Sequence, residues 1–142
     1  SAALRIAATN GHAECVELLL SVSDPRACDS EALTSAAEHG HVECVRLLIP
    51  LSDPKANNSD ALCWAACNAH HDIVDLLFEV SDPIAAWNEI KKNVIRKDRQ
   101  NYPGIAYLQQ KIKSQEEKSV LHAHVNELGV APTAQRPPPR RL

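Results

Sequence analysis

A period of 29 residues constrains this chain more than any other feature. Ser-Asp-Pro stands at 23–25, 52–54 and 81–83, and Ala-Leu at 3–4, 32–33 and 61–62. Ala-Ala at 7–8, 36–37 and 65–66 keeps the same spacing, as does Leu-Leu at 18–19, 47–48 and 76–77. Three units follow without a gap, 1–29, 30–58 and 59–87, opened by Ser1, Ser30 and Ser59. Self-similarity at such a period is the signature of a stacked repeat, in which each unit buries its apolar stripe against its neighbours.

Each unit reads as helix, turn, helix, loop. Ser30 is placed as an N-cap, with Glu31 at the positive end of the helix dipole. Leu33, Ala36 and Ala37 follow at i, i+3 and i+4, a narrow stripe of small apolar residues. Gly40 ends this first helix, as a glycine just past a C-terminus does. "VECVRLLIPL" forms the second helix, with Cys44, Val45, Leu47 and Leu48 on its buried side. Ser-Asp-Pro is expected to close it, because a residue before proline disfavours the α region.

Beyond Trp87 the period fades. "NEIKKNVIRK" begins on Asn88 in the register of Ser59 and sets Val94-Ile95 where Ala65-Ala66 stood, which predicts a terminal helix over the last stacked face. From Pro103 the sequence is helical to Leu128, as one helix or as two broken at a capping box Ser114…Glu117. Residues 88–129 thus read as a helical cap and 130–142 ("APTAQRPPPRRL" closing it) as a disordered tail with too little to bury. Charge divides at the same place: 1–87 carry 4 Lys/Arg against 13 Asp/Glu, and 88–142 carry 11 against 5.

No apolar run approaches the ~18–20 residues that a membrane span needs. Five cysteines (15, 28, 44, 63 and 67) accompany enough aliphatic side chains to build a core without bridges, so an intracellular, reducing setting is expected. The chain opens on Ser1 without an initiator Met and reads as a fragment, leaving any upstream targeting signal open. Cys15 and Cys44 share one register position with Ile73 and are expected to be buried, whereas Cys28 falls in a loop and is expected to be exposed.

"CWAACNAHH" raises a metal site, since Cys63, Cys67, His70 and His71 are four soft or borderline ligands within nine residues. The register opposes it. His70 matches His41 and His12 and therefore belongs to the inter-helix turn; only His71 is peculiar to its unit. Four glycines form no phosphate-cradling loop, and no nucleophile elbow or Ser/His/Asp set is picked out by spacing. The expectation is a protein without catalysis, cofactor or metal. Trp64 is a large aromatic where the sister units carry Ile6 and Ser35, a candidate anchor for a partner. It serves equally to pack against the basic C-terminal segment. Trp87 is expected in the core.

"AATNGHAECVELL", "AAEHGHVECVRLL" and "AACNAHHDIVDLL" resemble the ankyrin repeat, whose core runs A-A-x-x-G-H-x-E-x-V-x-x-L-L. The resemblance covers 1–87 and implies an all-α helical-repeat solenoid that recognises other proteins without catalysis. The third copy departs at Ala69, where the family has Gly. The unit is about four residues shorter than the usual ~33, which implies that the projecting hairpin is cut to a tight turn, and the T-P-L-H tetrad is replaced by "EAL" and "DAL". The family's first helices line a concave binding face. On the matching positions this implies contacts by Thr9 and Asn10, by Ser35, Glu38 and His39, and by Trp64, Cys67 and Asn68. The acidic repeats imply a partner with a basic surface. The resemblance extends to scaffolds and to bacterial effectors delivered into host cells. An alternative places function in the basic segment 88–118 as a nucleic-acid binder, with the repeats as support.

Overall fold

The computed structural model describes residues 2–24, 27–93 and 102–127. Among them are eight helices: α1 (Ala2–Thr9), α2 (Ala13–Leu20), α3 (Ala27–His39), α4 (Val42–Leu48), α5 (Ala56–Cys67), α6 (His71–Phe78), α7 (Pro83–Asn93) and α8 (Pro103–Glu127). The expected tail 130–142, Val94-Ile95 and Leu128 lie outside the described residues. The chain divides into a first unit, 1–109, and a second, 110–142.

In the first unit the odd-numbered helices α1, α3, α5 and α7 stack in one row and α2, α4 and α6 in another. The core runs between the rows. Leu4, Leu33 and Leu62 repeat at one buried register position, and Ala8, Ala37 and Ala66 at another. Small alanines let neighbouring helices approach closely, and the leucines fill what remains; burying each fully is worth about 1.5–3 kcal/mol. Val16, Val45 and Val74 supply the matching stripe of the second row.

Every first helix ends alike. His12, His41 and His70 donate their amides to the carbonyls of Ala7, Ala36 and Ala65, and the residue between is left-handed: Gly11 (φ 75°), Gly40 (φ 80°) and Ala69 (φ 59°). These are Schellman caps, in which the 6→1 bond satisfies an orphan carbonyl.

The helix starts differ from expectation. Ser30 and Ser59 do not cap: α3 and α5 begin three residues earlier, and both serines lie inside them with φ 62°. Each hydroxyl instead accepts the backbone N–H of Asp53 or Asp82 at 2.8 Å, tying the loop that closes a unit back to that unit's first helix. Both serines are at most 2% exposed, so a bond to water was not open to them.

Ser-Asp-Pro is a start signal as well as a stop. Asp82 accepts the N–H groups of Ile84 and Ala85 (3.1 and 3.0 Å), and Pro83 takes the first helical position, where its missing N–H forfeits nothing. The last row helix therefore starts at Pro83 and not at Asn88, and Trp87 lies within it, half-buried beneath Lys91 Nζ at 5.6 Å from the ring centroid. Between α4 and α5 the chain makes only turns from Ile49 to Lys55, in keeping with a shortened finger.

The helix α8 is continuous over 25 residues, without a break at Ser114. Its first turns belong to the first unit and bury Ile105 and Leu108. The second unit, taken by itself, carries the rest of that helix, with Val120 and Leu121 exposed. No helix among the described residues is long and apolar enough to cross a membrane.

Candidate functional site

The row of first helices turns one strip of side chains outward. Ile6 (53% exposed), Ser35 (half-buried) and Trp64 (41%) occupy one register position on α1, α3 and α5. One turn further on lie Asn10, His39 and Asn68, all exposed. Exposed apolar side chains in the first and third repeats, set either side of Ser35 and bordered by polar groups, have the composition of an interface centre.

The strip is held by hydrogen bonds between repeats. His41 Nε2 donates to the Thr9 carbonyl at 2.9 Å, and His70 Nε2 donates to the Glu38 carbonyl at 3.0 Å. Each ring lies over the glycine of the preceding unit: a Cβ on Gly11 would come within 2.5 Å of His41, and one on Gly40 within 2.6 Å of His70. Asn68 Nδ2 adds a second bond to the Glu38 carbonyl (3.2 Å), and the Ser81 hydroxyl donates to the Pro54 carbonyl (3.1 Å). His39 Nδ1 donates to the Ser35 carbonyl and its ring stacks 6.3 Å from that of His41. Repeat histidines thus serve as struts.

Ala69 departs from the glycine rule because what packs over it is different. Gly104 of α8 sits there; a Cβ on it would overlap the Ala66 carbonyl at 2.0 Å and Ala69 Cα at 2.7 Å. The glycine has moved from the turn to the element covering it. His71, unique to its unit, stacks on Tyr107 of α8 at 4.3 Å, and the Tyr107 hydroxyl donates to Asp75 Oδ1 at 2.7 Å. Sequence reasoning missed Gly104, Tyr107 and Asp75; the one trace was His71 breaking the repeat.

The expected site residues separate. Asn10, His39, Trp64 and Asn68 reach solvent, while Thr9, Ser35 and Glu38 are half-buried, Thr9 with its hydroxyl bonded to the Arg5 carbonyl. Cys67, expected outward, is only 7% exposed, because it sits on the inner side of the last turn of α5. Cys44 is buried, as expected, between α2 and α6. Cys15 is exposed, against expectation, since α2 packs against one neighbour of its row among the described helices. The Cys28 side chain lies outside the described residues.

The histidines of "CWAACNAHH" turn to separate partners, His70 to the Glu38 carbonyl and His71 to Tyr107. Among the described residues no three His, Cys, Asp or Glu side chains converge as metal ligands.

The face is acidic. Burial, then the charge of Glu89, raises the Asp60 carboxyl above the usual carboxylate range; the hydrogen bond from Trp64 opposes this, and Glu38 adds to it. Arg5 pairs with Glu31 across α1 and α3 at 3.4 Å, an exposed pair of small energetic weight.

Residues 4–88 match the family model of ankyrin repeats, in three copies. No curated protein matches the chain.

Proposed function

The chain belongs to the ankyrin-repeat family, and from that premise we propose that it works as a non-catalytic module holding another protein on the outward strip of α1, α3 and α5. Ankyrin repeats are generally protein–protein interaction modules. The observation carrying the reading is the exposed pair Ile6 and Trp64 in one register position, set on helices that the histidine struts hold rigid. A face ordered before binding loses little entropy on association. Asn10, His39 and Asn68 form its polar border; Thr9, Ser35 and Glu38 lie beneath and shape it. The partner is proposed to bring a basic surface, for Glu31, Glu38, Asp60 and Glu89 lie on this row of helices and leave one carboxyl poorly accommodated. The same reading takes 1–29, 30–58 and 59–87 as the repeats, 88–129 as their cap and 130–142 as a tail, in an intracellular setting.

A photo-crosslinking residue placed at position 64 of the full chain tests this, with position 46 on α4 as control. In the cell that makes the protein, position 64 is expected to give one discrete adduct that shrinks in high salt. Adducts from position 46 with none from 64 would sink the proposal.

A further inference from the structure

The two ends of the repeat row are built differently. At one end the first turns of α8 cover the last unit, with Gly104 against Ala66 and Ala69 and Tyr107 stacked on His71. At the other end α1 packs on α3 and α2 on α4, each with one neighbour of its row among the described helices.

The repeat register shows what that leaves open. Cys44 and Ile73 are fully buried, whereas Cys15 at the same position is exposed. Ala32 and Ala61 are buried, whereas Ala3 is exposed. Leu48 and Leu77 are fully buried, whereas Leu19 is half-buried. Leu18 is 74% exposed where Leu47 and Leu76 are half-buried. Each position is closed in the two units that have a unit before them and open in the first. A terminal repeat that faces water carries a polar outer face; these side chains are those of an internal one. His12 completes the pattern. Its counterparts His41 and His70 donate through Nε2 to a carbonyl of the preceding unit, at 2.9 and 3.0 Å. His12 is exposed and makes no such bond among the described residues.

We propose that the open face of α1 and α2 is a stacking site for a further repeat of the same kind in the same polypeptide. It continues an interface the molecule already makes twice, α3 and α4 on α1 and α2, then α5 and α6 on α3 and α4. That interface specifies its occupant. The added first helix must offer a C-terminal carbonyl to His12 Nε2, followed by a turn residue without a Cβ beneath the ring. Gly11 and Gly40 meet this need under His41 and His70, where a Cβ would come within 2.5 and 2.6 Å. The added second helix must bring an apolar stripe over Cys15 and Leu18. A second copy of the chain fits poorly. Two such faces opposed would set the exposed Glu14 and Glu17 of one copy against those of the other. The far end of the row cannot serve either, since α8 already covers it. The site is separate from the outward strip and stands whatever that strip binds.

The test joins a copy of 30–58 directly before Ser1 of the full chain. No linker is needed, since Asn58 precedes Ser59 and Ser1 shares the register of Ser59. Maleimide labelling, mapped by peptide mass, reads the face at Cys15. Labelling is expected to slow about tenfold relative to the unextended chain, and the urea midpoint to rise. Gly40→Ala in the copy alone should undo most of that protection, because the added Cβ meets the His12 ring. His12→Ala beside it removes the ring and should restore part of the protection, which a merely misfolded copy would not do. Cys15 labelled as fast with the copy as without it overturns the proposal. Protection that survives Gly40→Ala overturns the part given to His12. Protection of Cys15 in the unextended chain as its concentration rises, with doubled mass in sedimentation, would make the occupant a second copy and overturn the proposal too.

Discussion

At the scale of single residues, the array is built from a glycine in one unit and a histidine in the next. Gly40 combines φ 80° with a Cβ position 2.6 Å from the His70 ring. Gly40→Ala therefore incurs the left-handed cost of about 1–2 kcal/mol and must also displace the ring; urea unfolding should show at least that loss. Ala69 carries φ 59° with Gly104 of α8 packed against it, so Ala69→Gly should be neutral or stabilising by up to about 1 kcal/mol, the relief of strain offset by added freedom in the unfolded chain. A clear loss in Ala69→Gly would contradict this account of the turn. Asp60 makes a prediction in pH. Its carboxyl is raised, first by burial and then by Glu89, so the native state binds its proton more tightly than the unfolded chain does. Stability then declines as pH rises from the ordinary carboxylate range through the raised value. Asp60→Asn keeps an acceptor for Trp64 and should flatten that decline, with equal slopes in both proteins counting against it. The glycines and histidines were legible because their spacing repeats; their contact across units was not, since the 29 residues between each glycine and its histidine give no sign of which atoms meet.

At the scale of elements, the helix ends were legible at the C-terminal side and misjudged at the N-terminal side. Gly11 and Gly40 mark C-termini by a backbone requirement that few other residues meet, so the signal is local. Ser-Asp-Pro is ambiguous by nature. It follows α6, which closes at Phe78; Ser81 N–H still bonds to the Leu77 carbonyl, and the next two residues open α7. Asp82→Ala should destabilise by about 1 kcal/mol while Asp82→Asn changes little, as thermal unfolding can report. Ser30 and Ser59 looked like caps because a serine before an apolar stripe usually is one; their bonds run 23 residues ahead instead. The start of α8 depends on one glycine, since a Cβ on Gly104 would lie 2.0 Å from the Ala66 carbonyl. Gly104→Ala should release its first turns, seen as lost exchange protection at Leu108 with the repeat amides unaffected.

At the scale of the whole molecule, stacked repeats contact only their neighbours, so the place where a change falls matters as much as its size. Leu62→Ala empties a fully buried site within one repeat and should lower the urea midpoint by a loss of about 2–5 kcal/mol with the slope retained. His70→Ala removes the strut between α3 and the turn after α5, so it should broaden the transition as the repeats uncouple. An unchanged slope in His70→Ala would mean that apolar contact alone couples them. The sequence by itself determined the repeat, its helical class and its family, because a hydrophobic stripe recurring in fixed register has few ways to be buried except by stacking. It also marked Trp64 as unusual. The tertiary structure alone decided that Cys67 faces inward, that Cys15 does not, and that His71 belongs to Tyr107. Those outcomes depend on which element covers a position, and in a repeat the covering element is a copy from another unit or, at the last turn, a helix outside the period.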